Sequence, residues 1–135
     1  DEAAMVLNRQ GGNPLHDLIP LMTREGLTAI QDTVEETYLS DSVVNYIVSL
    51  IGATRSSPDI LRGASPRATL AVTAMAKSVA RLRGRDYVTP PDVKEVFAHT
   101  IAHRLILSPK AEAQGKQPQA VLQDILAADP APRLR

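Results

Sequence analysis

The sequence predicts an all-α fold, a small helical bundle with about five main helices and at most one very short strand. Only 3% of the 135 residues are aromatic and none is tryptophan, so Ala, Leu, Ile and Val must build the core, which favours helices. Apolar residues recur at three- and four-residue spacing in several segments, and Ser-Pro and Thr-Pro pairs mark helix starts. The length suits one domain.

Two main helices are predicted in the first third of the chain, after the last turns of a helix at residues 1–10 and an extended strap at residues 15–22. Thr23 caps the first of them, whose inner stripe is predicted to comprise Leu27, Ile30, Val34 and Tyr38. Ser40 caps the second, which runs to about Thr54. Its apolar residues cover most of its circumference, so we expect it to be the most buried helix.

A connector at residues 55–62 leads to the helix around which the chain is organised, predicted from Ser65 to about Gly84. Serine is a preferred N-cap, and Pro66 suits the first helical position because its missing N–H would have no partner there. Gly84 supplies the left-handed residue that ends the helix. The predicted apolar face comprises Ala68, Val72, Met75, Val79 and Leu82.

The next helix has the clearest N-terminal sequence signals in the chain. Thr89 is its predicted N-cap, Pro90 its first residue and Asp92 its acidic third residue. Its inner face is predicted to comprise Val93, Val96, Phe97 and Ile101. The short apolar run at residues 105–107 is the candidate strand.

The end of the chain is predicted to be less ordered. Residues 108–117 are mostly polar, contain a glycine and are predicted to form a mobile linker. Pro118 begins a last helix, which residues 129–132 end, and we expect the final residues to be disordered.

The charges are unevenly distributed along a chain whose formal net charge is zero. Residues 1–64 carry four basic and nine acidic groups, and residues 65–135 carry eleven basic and six acidic groups. The two halves can pair within one domain, or the second half can present a basic face to nucleic acid or an anionic ligand. There is no cysteine, no signal peptide and no apolar run long enough to span a membrane, so we expect a cytoplasmic protein.

Arg67 is the residue that packing does not explain. A cation in the first helical turn opposes the helix dipole, at a cost of about 0.3 to 1 kcal/mol, and no acid at the third position completes a capping box. Backbone N–H groups and a guanidinium at one helix end suit an anion such as phosphate. Alternatively, Arg67 is solvated or pairs with an acid such as Asp59.

Other kinds of site are poorly supported. The Gly-Lys pair at residues 115–116 is followed by Gln117 and lacks the preceding glycine of a P-loop. His99 and His103, with Glu95 one turn earlier, have a spacing that can present zinc ligands, but the H-E-x-x-H motif is missing, so we predict no metal site. No serine lies in a nucleophile-elbow context.

Several motifs follow one another in a fixed order in the second half of the chain. They are Gly-Ala-Ser-Pro-Arg-Ala at residues 63–68, Ala-Lys at 76–77, Leu-Arg-Gly-Arg-Asp-Tyr-Val-Thr-Pro-Pro-Asp-Val at 82–93 and His-Arg-Leu at 103–105. In this order and spacing they resemble the C-terminal lid of MoxR-type AAA+ ATPases. Tyr-Ile-Val at 46–48 and Ala-Thr-Arg at 53–55 also fit, so the resemblance covers roughly residues 15–110.

The resemblance implies a lid domain at residues 13–110, preceded at residues 1–12 by the tail end of the AAA+ core and followed at residues 111–135 by a linker, the last helix and a tail. In this family the arginine of the Gly-Ala-Ser-Pro-Arg motif is the second sensor and reaches toward the γ-phosphate. The resemblance therefore implies this role for Arg67, with Ser65 and Pro66 beside it in the nucleotide site.

The full-length protein implied by this resemblance binds ATP and Mg²⁺, hydrolyses ATP and matures or assembles partner proteins as a chaperone. Its partners would be its own AAA+ core, neighbouring ring subunits and, in many relatives, von Willebrand factor A domain proteins. This chain lacks Walker motifs, so alone it should be inactive. Two other hypotheses are a helical DNA-binding module, although the basic residues are scattered over several elements, and an interaction domain without a ligand.

Overall fold

The computed structural model describes residues 1–10 and 12–132. These residues divide into two compact units, one ending at Ile30 and the other beginning at Gln31. The α-helices are α1 (Glu2–Arg9), α2 (Arg24–Glu35), α3 (Asp41–Ser56), α4 (Pro66–Leu82), α5 (Pro90–Ile101), α6 (Pro109–Ala113) and α7 (Pro118–Ala128). Two 3₁₀ turns span Pro14–Asp17 and Ala102–Arg104, and two short strands are β1 (Ile60–Arg62) and β2 (Ile106–Leu107). The all-α prediction is therefore confirmed.

The first unit contains the predicted N-terminal helix, α1, and the start of α2. The strap predicted at residues 15–22 begins with a 3₁₀ turn before the chain becomes extended. Thr23 caps α2 as predicted, since its Oγ1 accepts a hydrogen bond of 3.1 Å from the backbone N–H of Gly26.

The predicted inner stripe of α2 is wrong. Leu27 and Ile30 are 48% and 50% exposed, Tyr38 lies beyond the end of the helix and is exposed, and α2 contains no buried residue. The sequence pattern identifies α2 as an amphipathic helix, but such a pattern does not show what covers the apolar face.

The core of the second unit lies among α3, α4, α5 and α7. The prediction that α3 is the most buried helix is wrong, because α5 buries seven of its twelve residues and α3 buries six of sixteen. Val44 and Val48 of α3 are exposed, so one side of this helix faces solvent. The predicted inner face of α5 is buried in full. The fully buried core residues include Val43, Ile47, Leu50 and Ile51 of α3, Ala68, Val72, Ala76 and Ala80 of α4, Val93, Phe97 and Ile101 of α5, and Leu122 of α7.

The limits of α4 agree with the prediction, but its buried face does not. Ser65 is the N-cap, Pro66 the first residue and Gly84 has a left-handed φ of 71°. Met75 and Leu82 were predicted to face inward and are exposed, and Ala76 and Ala80 are buried instead. The alanines of α4 predict a close approach of neighbouring helices, and Ala76 and Ala80 lie at that interface, but the predicted apolar face was chosen by hydrophobic bulk and left them out.

The candidate strand is present, together with a partner that was not predicted. β2 pairs antiparallel with β1, which lies in the segment predicted as a connector, and Ile60 is opposite Leu107. These two residues form a small second core with Ala111 and Val121.

The mobile linker predicted at residues 108–117 is wrong, because this segment contains α6. Ser108 caps α6 by accepting a hydrogen bond from the backbone N–H of Ala111, which is fully buried. Lys116 forms an ion pair of 2.6 Å with Asp59. The Ser-Pro pair is the same start signal as in α4, and it outweighs the polar composition. The predicted disordered end includes residues 133–135, which lie outside the described residues.

A buried carboxylate connects α4 to α5. Asp92 is inaccessible to solvent and completes a capping box with Thr89, as predicted from its position in the first turn. Arg83 and Arg85, on either side of Gly84, both bind Asp92 through their guanidinium groups. None of the helices described in residues 1–10 and 12–132 has the length and apolar character needed to cross a membrane.

Candidate functional site at the start of α4

The candidate site is the exposed first turn of α4. Ser65 has an extended backbone and is the N-cap, but its side chain makes no capping hydrogen bond. Pro66 has no backbone N–H to donate. Ser65, Pro66 and Arg67 are all exposed, so the structure places the three predicted site residues together on one accessible helix end.

Arg67 carries an unpaired positive charge at this end. The first turn of α4 contains no acidic residue, and Arg67 has no hydrogen-bond or ion-pair partner in the described part of the chain. The alternative partner, Asp59, binds Lys116 instead. The guanidinium and the N-terminal end of the helix dipole are both positive, so this end of α4 attracts an anion.

The segment before α4 is anchored to the end of α3. The backbone N–H of Ala64 donates to Oγ1 of Thr54 over 3.0 Å, and the carbonyl of Ala64 accepts from Nε of Arg55 over 2.8 Å. Thr54 and Ala64 are buried. A helix start held in this way presents Arg67 from a rigid position.

Gly63 makes this anchor possible because it has no side chain. A Cβ at this position would lie 2.6 Å from the carbonyl oxygen of Thr54 and 2.8 Å from both N and Cα of Arg55. Those are backbone atoms, so no side-chain rotation could relieve the clash. No role was predicted from the sequence for Gly63, Thr54 or Arg55, and their place in the shared motifs was the only available signal.

The other candidate residues do not form a site. His99 and His103 are exposed, and Glu95 accepts a hydrogen bond from Arg83. Within residues 1–10 and 12–132, no three histidine or acidic side chains lie close enough together to hold a metal ion. Gly115 follows α6 with a left-handed φ of 69°, and Lys116 pairs with Asp59, so this Gly-Lys pair ends a helix.

Most of the basic residues on the core helices bind groups within the chain. Lys77 donates to the carbonyl of Glu35 over 2.6 Å, and Arg81 donates to Oγ1 of Thr37 over 2.8 Å. Arg83 and Arg85 bind Asp92. Of the ion pairs in residues 1–10 and 12–132, Lys116 with Asp59 alone joins the basic second half to the acidic first half, so charge pairing between the halves is limited. The contacts nevertheless leave no row of free cations along one described helix for reading DNA.

Comparison with known proteins identifies the family. The AAA lid domain family matches residues 52–125. The chain is 31% identical to the uncharacterized protein YeaC of Bacillus subtilis, over 95% of this chain and 40% of YeaC. It is 33% identical to Chaperone MoxR1 of Mycobacterium tuberculosis, over 93% of this chain and 36% of that protein.

A solved structure has the same fold. The crystal structure of a protein from Cytophaga hutchinsonii, described provisionally as an ATPase, superposes with a TM-score of 0.71 and 33% identity, over 76% of this chain and 34% of that one. The chain spans 40% or less of these relatives. The family match includes α4, α5 and both strands, so this chain belongs to the AAA lid domain family.

Proposed function

We propose that this lid closes over ATP held by a nucleotide-binding core and that Arg67 contacts the γ-phosphate. The observation that carries the proposal is an exposed arginine without a partner in the described residues, on a helix start that is itself anchored. An arginine kept for the fold would be expected to bind an acid or a carbonyl group, as Arg85 and Arg55 do. A free guanidinium beside a helix N-terminus provides donors that suit a phosphate.

The hydrogen-bond donors at this site determine which groups of a nucleotide they could bind. Arg67 and the first turn of α4 would bind the terminal phosphate, and Ser65 adds a hydroxyl that is not used for capping. No acidic side chain of this turn is available to bind Mg²⁺, so we assign the metal ion to groups outside this chain. Magnesium and ATP would supply phosphoryl-transfer chemistry, while this chain supplies positioning and positive charge.

We further propose that ATP turnover changes the position of the lid relative to its core and to neighbouring ring subunits, and that this movement drives chaperone-like maturation or assembly of partner proteins. The name of Chaperone MoxR1 supports this proposal. The division into residues 1–12, 13–110 and 111–135, the cytoplasmic location and von Willebrand factor A domain partners remain predictions from the sequence.

The test is the Arg67→Ala variant of the full-length ATPase. Removal of a charged group that stabilises a transition state commonly lowers kcat by about 100-fold or more, so we expect a fall of at least about tenfold here. Arg62→Ala is the matched control, because Arg62 is also exposed and lies five positions earlier. Circular dichroism of the 135-residue chain should show that both variants fold. Turnover by Arg67→Ala within twofold of the parent would refute the proposal.

A further inference from the structure

Ala64 precedes the N-cap of α4, and two consecutive residues of α3 bind its backbone N–H and its carbonyl. Thr54 accepts from the N–H of Ala64 over 3.0 Å, and Nε of Arg55 donates to its carbonyl over 2.8 Å. We propose that Arg55 is a positioning residue for Arg67, which it orients through the Ala64 carbonyl. This inference rests on the function proposed for Arg67.

The interactions of Arg55 indicate a main-chain role and not a surface ion pair. Its side chain forms no ion pair among residues 1–10 and 12–132, and its hydrogen bond goes to a carbonyl that is nine residues away in sequence. Such a charge-assisted bond is stronger than one between neutral groups. Arg55 therefore fixes the position of the loop that precedes α4.

The backbone between Ala64 and Arg67 has little conformational freedom, so the position of Ala64 determines the position of Arg67. Ser65 is extended, with φ −79° and ψ 166°, and proline holds φ of the next residue near −65°. Few backbone rotations remain in this connection to absorb a displacement. If the Ala64 carbonyl lost its donor, the first turn of α4 would move relative to α3, and Arg67 would move with it.

Gly63 adds an independent reason to treat this contact as a constraint on geometry. The backbone of residue 63 lies so close to Thr54 and Arg55 that a Cβ would clash at 2.6 and 2.8 Å. This close approach brings the Ala64 carbonyl within reach of Nε of Arg55. A misplacement of about 1 Å at a catalytic group can lower a rate by about 100-fold. Even a small movement of Arg67 after loss of the Arg55 hydrogen bond would therefore lower the rate.

A double-mutant cycle in the full-length ATPase tests the inference. The variants are Arg55→Met, Arg55→Lys, Arg67→Ala and the double variant Arg55→Met with Arg67→Ala, with Arg62→Met as the matched surface control. We expect Arg55→Met to lower kcat by about tenfold with KM for ATP changed less than about twofold, and the charged N–H donor of Arg55→Lys to restore part of the loss. In the Arg67→Ala background, Arg55→Met should have no further effect, because a positioning residue needs the group that it positions.

The outcomes separate this inference from the proposed function. A loss in Arg67→Ala, with Arg55→Met equal to Arg62→Met, overturns the inference and leaves the function of Arg67 intact. The inference also fails if the Arg55 and Arg67 effects multiply, because Arg55 would then act independently. If Arg67→Ala itself is fully active, both proposals fail. Unfolding midpoints of the 135-residue chain show whether Arg55→Met folds, and if it does not, Arg55→Gln replaces it in the same cycle.

Discussion

Arg85 and Asp92 form a two-point ion pair across the turn between α4 and α5, with Nη1 and Nη2 of the arginine 2.8 and 2.6 Å from the two carboxylate oxygens. Arg83 adds a third contact at 3.2 Å, and Thr89 donates through both its N–H and its hydroxyl. Burial alone would raise the pKa of Asp92, but the hydrogen bonds from Arg85 and Thr89 outweigh burial and lower the pKa to about 2. Asp92 is therefore ionised at neutral pH and joins the two helices.

The first prediction concerns stability in acid. Since the folded-state pKa of Asp92 is below its ordinary value of 3.8, its ionisation stabilises the fold above about pH 4, and this contribution is lost as the pH falls toward 2. The lowered pKa corresponds to a contribution on the order of 2 kcal/mol. We expect Asp92→Asn to be less stable than the parent at pH 7 and the difference to shrink by pH 2, as measured by urea unfolding. Asp124→Asn, on the exposed side of α7, is the control, and a difference that does not change with pH would contradict this prediction.

The second prediction is that function and stability conflict at Arg67. An acidic residue in the first turn of a helix stabilises it by about 0.3 to 1 kcal/mol, so Arg67→Glu should raise the unfolding free energy of the chain by this amount or more. Arg67→Ala should fall between the two, and the gain should decrease in high salt. If Arg67 has the function proposed above, the same Arg67→Glu variant should abolish ATP turnover by the full-length protein. A loss of chain stability would instead show that Arg67 has a structural partner.

The third prediction concerns the close approach at Gly63. A methyl group there must displace the backbone of Thr54 or Arg55, so Gly63→Ala should destabilise the chain by about 1 to 3 kcal/mol. Gly52→Ala is a matched control, because a Cβ at residue 52 of α3 would meet no atom within 4 Å and alanine favours helices. Chemical denaturation measures both. Equal effects of the two substitutions would show that the segment before α4 is not held tightly.

The fourth prediction tests which face of α4 is buried. Ala76 is fully buried, so Ala76→Leu should overpack the interface and destabilise the chain by about 1 to 3 kcal/mol. Leu82 is 87% exposed, so Leu82→Ala should change stability by less than about 0.5 kcal/mol. If the face predicted from the sequence were buried instead, Leu82→Ala would destabilise the chain more than Ala76→Leu. Thermal unfolding of the two variants decides between them.

Local signals predicted the starts of the helices well. Ser40, Ser65 and Thr89 are N-caps in the structure, and Gly84 ends α4, because capping depends on residues that are adjacent in sequence. Structural properties that depend on residues distant in sequence were predicted less well. The buried face of α4 follows from its neighbours, β1 needs β2 as its partner, and α6 is stabilised by burial of Ala111.

The candidate site was predicted in part. Arg67 could be chosen from the sequence because a cation in a first turn conflicts with the helix dipole, and that conflict is local. The hydrogen bonds that anchor the start of α4 could not be predicted from local sequence in the same way. Arg55 lies at the end of a different helix, and the group it binds is a carbonyl, which every residue has. Only the fold brings them together.

The use of main-chain atoms in this anchor affects how the family can vary. Arg55 and Thr54 recognise the peptide groups of Ala64, so another small residue could replace Ala64 and leave both hydrogen bonds intact. Compensating pairs of substitutions at these positions are therefore not expected, and methods that infer contacts from correlated changes in aligned sequences would overlook this one. Its evolutionary trace should instead be an unvarying glycine at position 63.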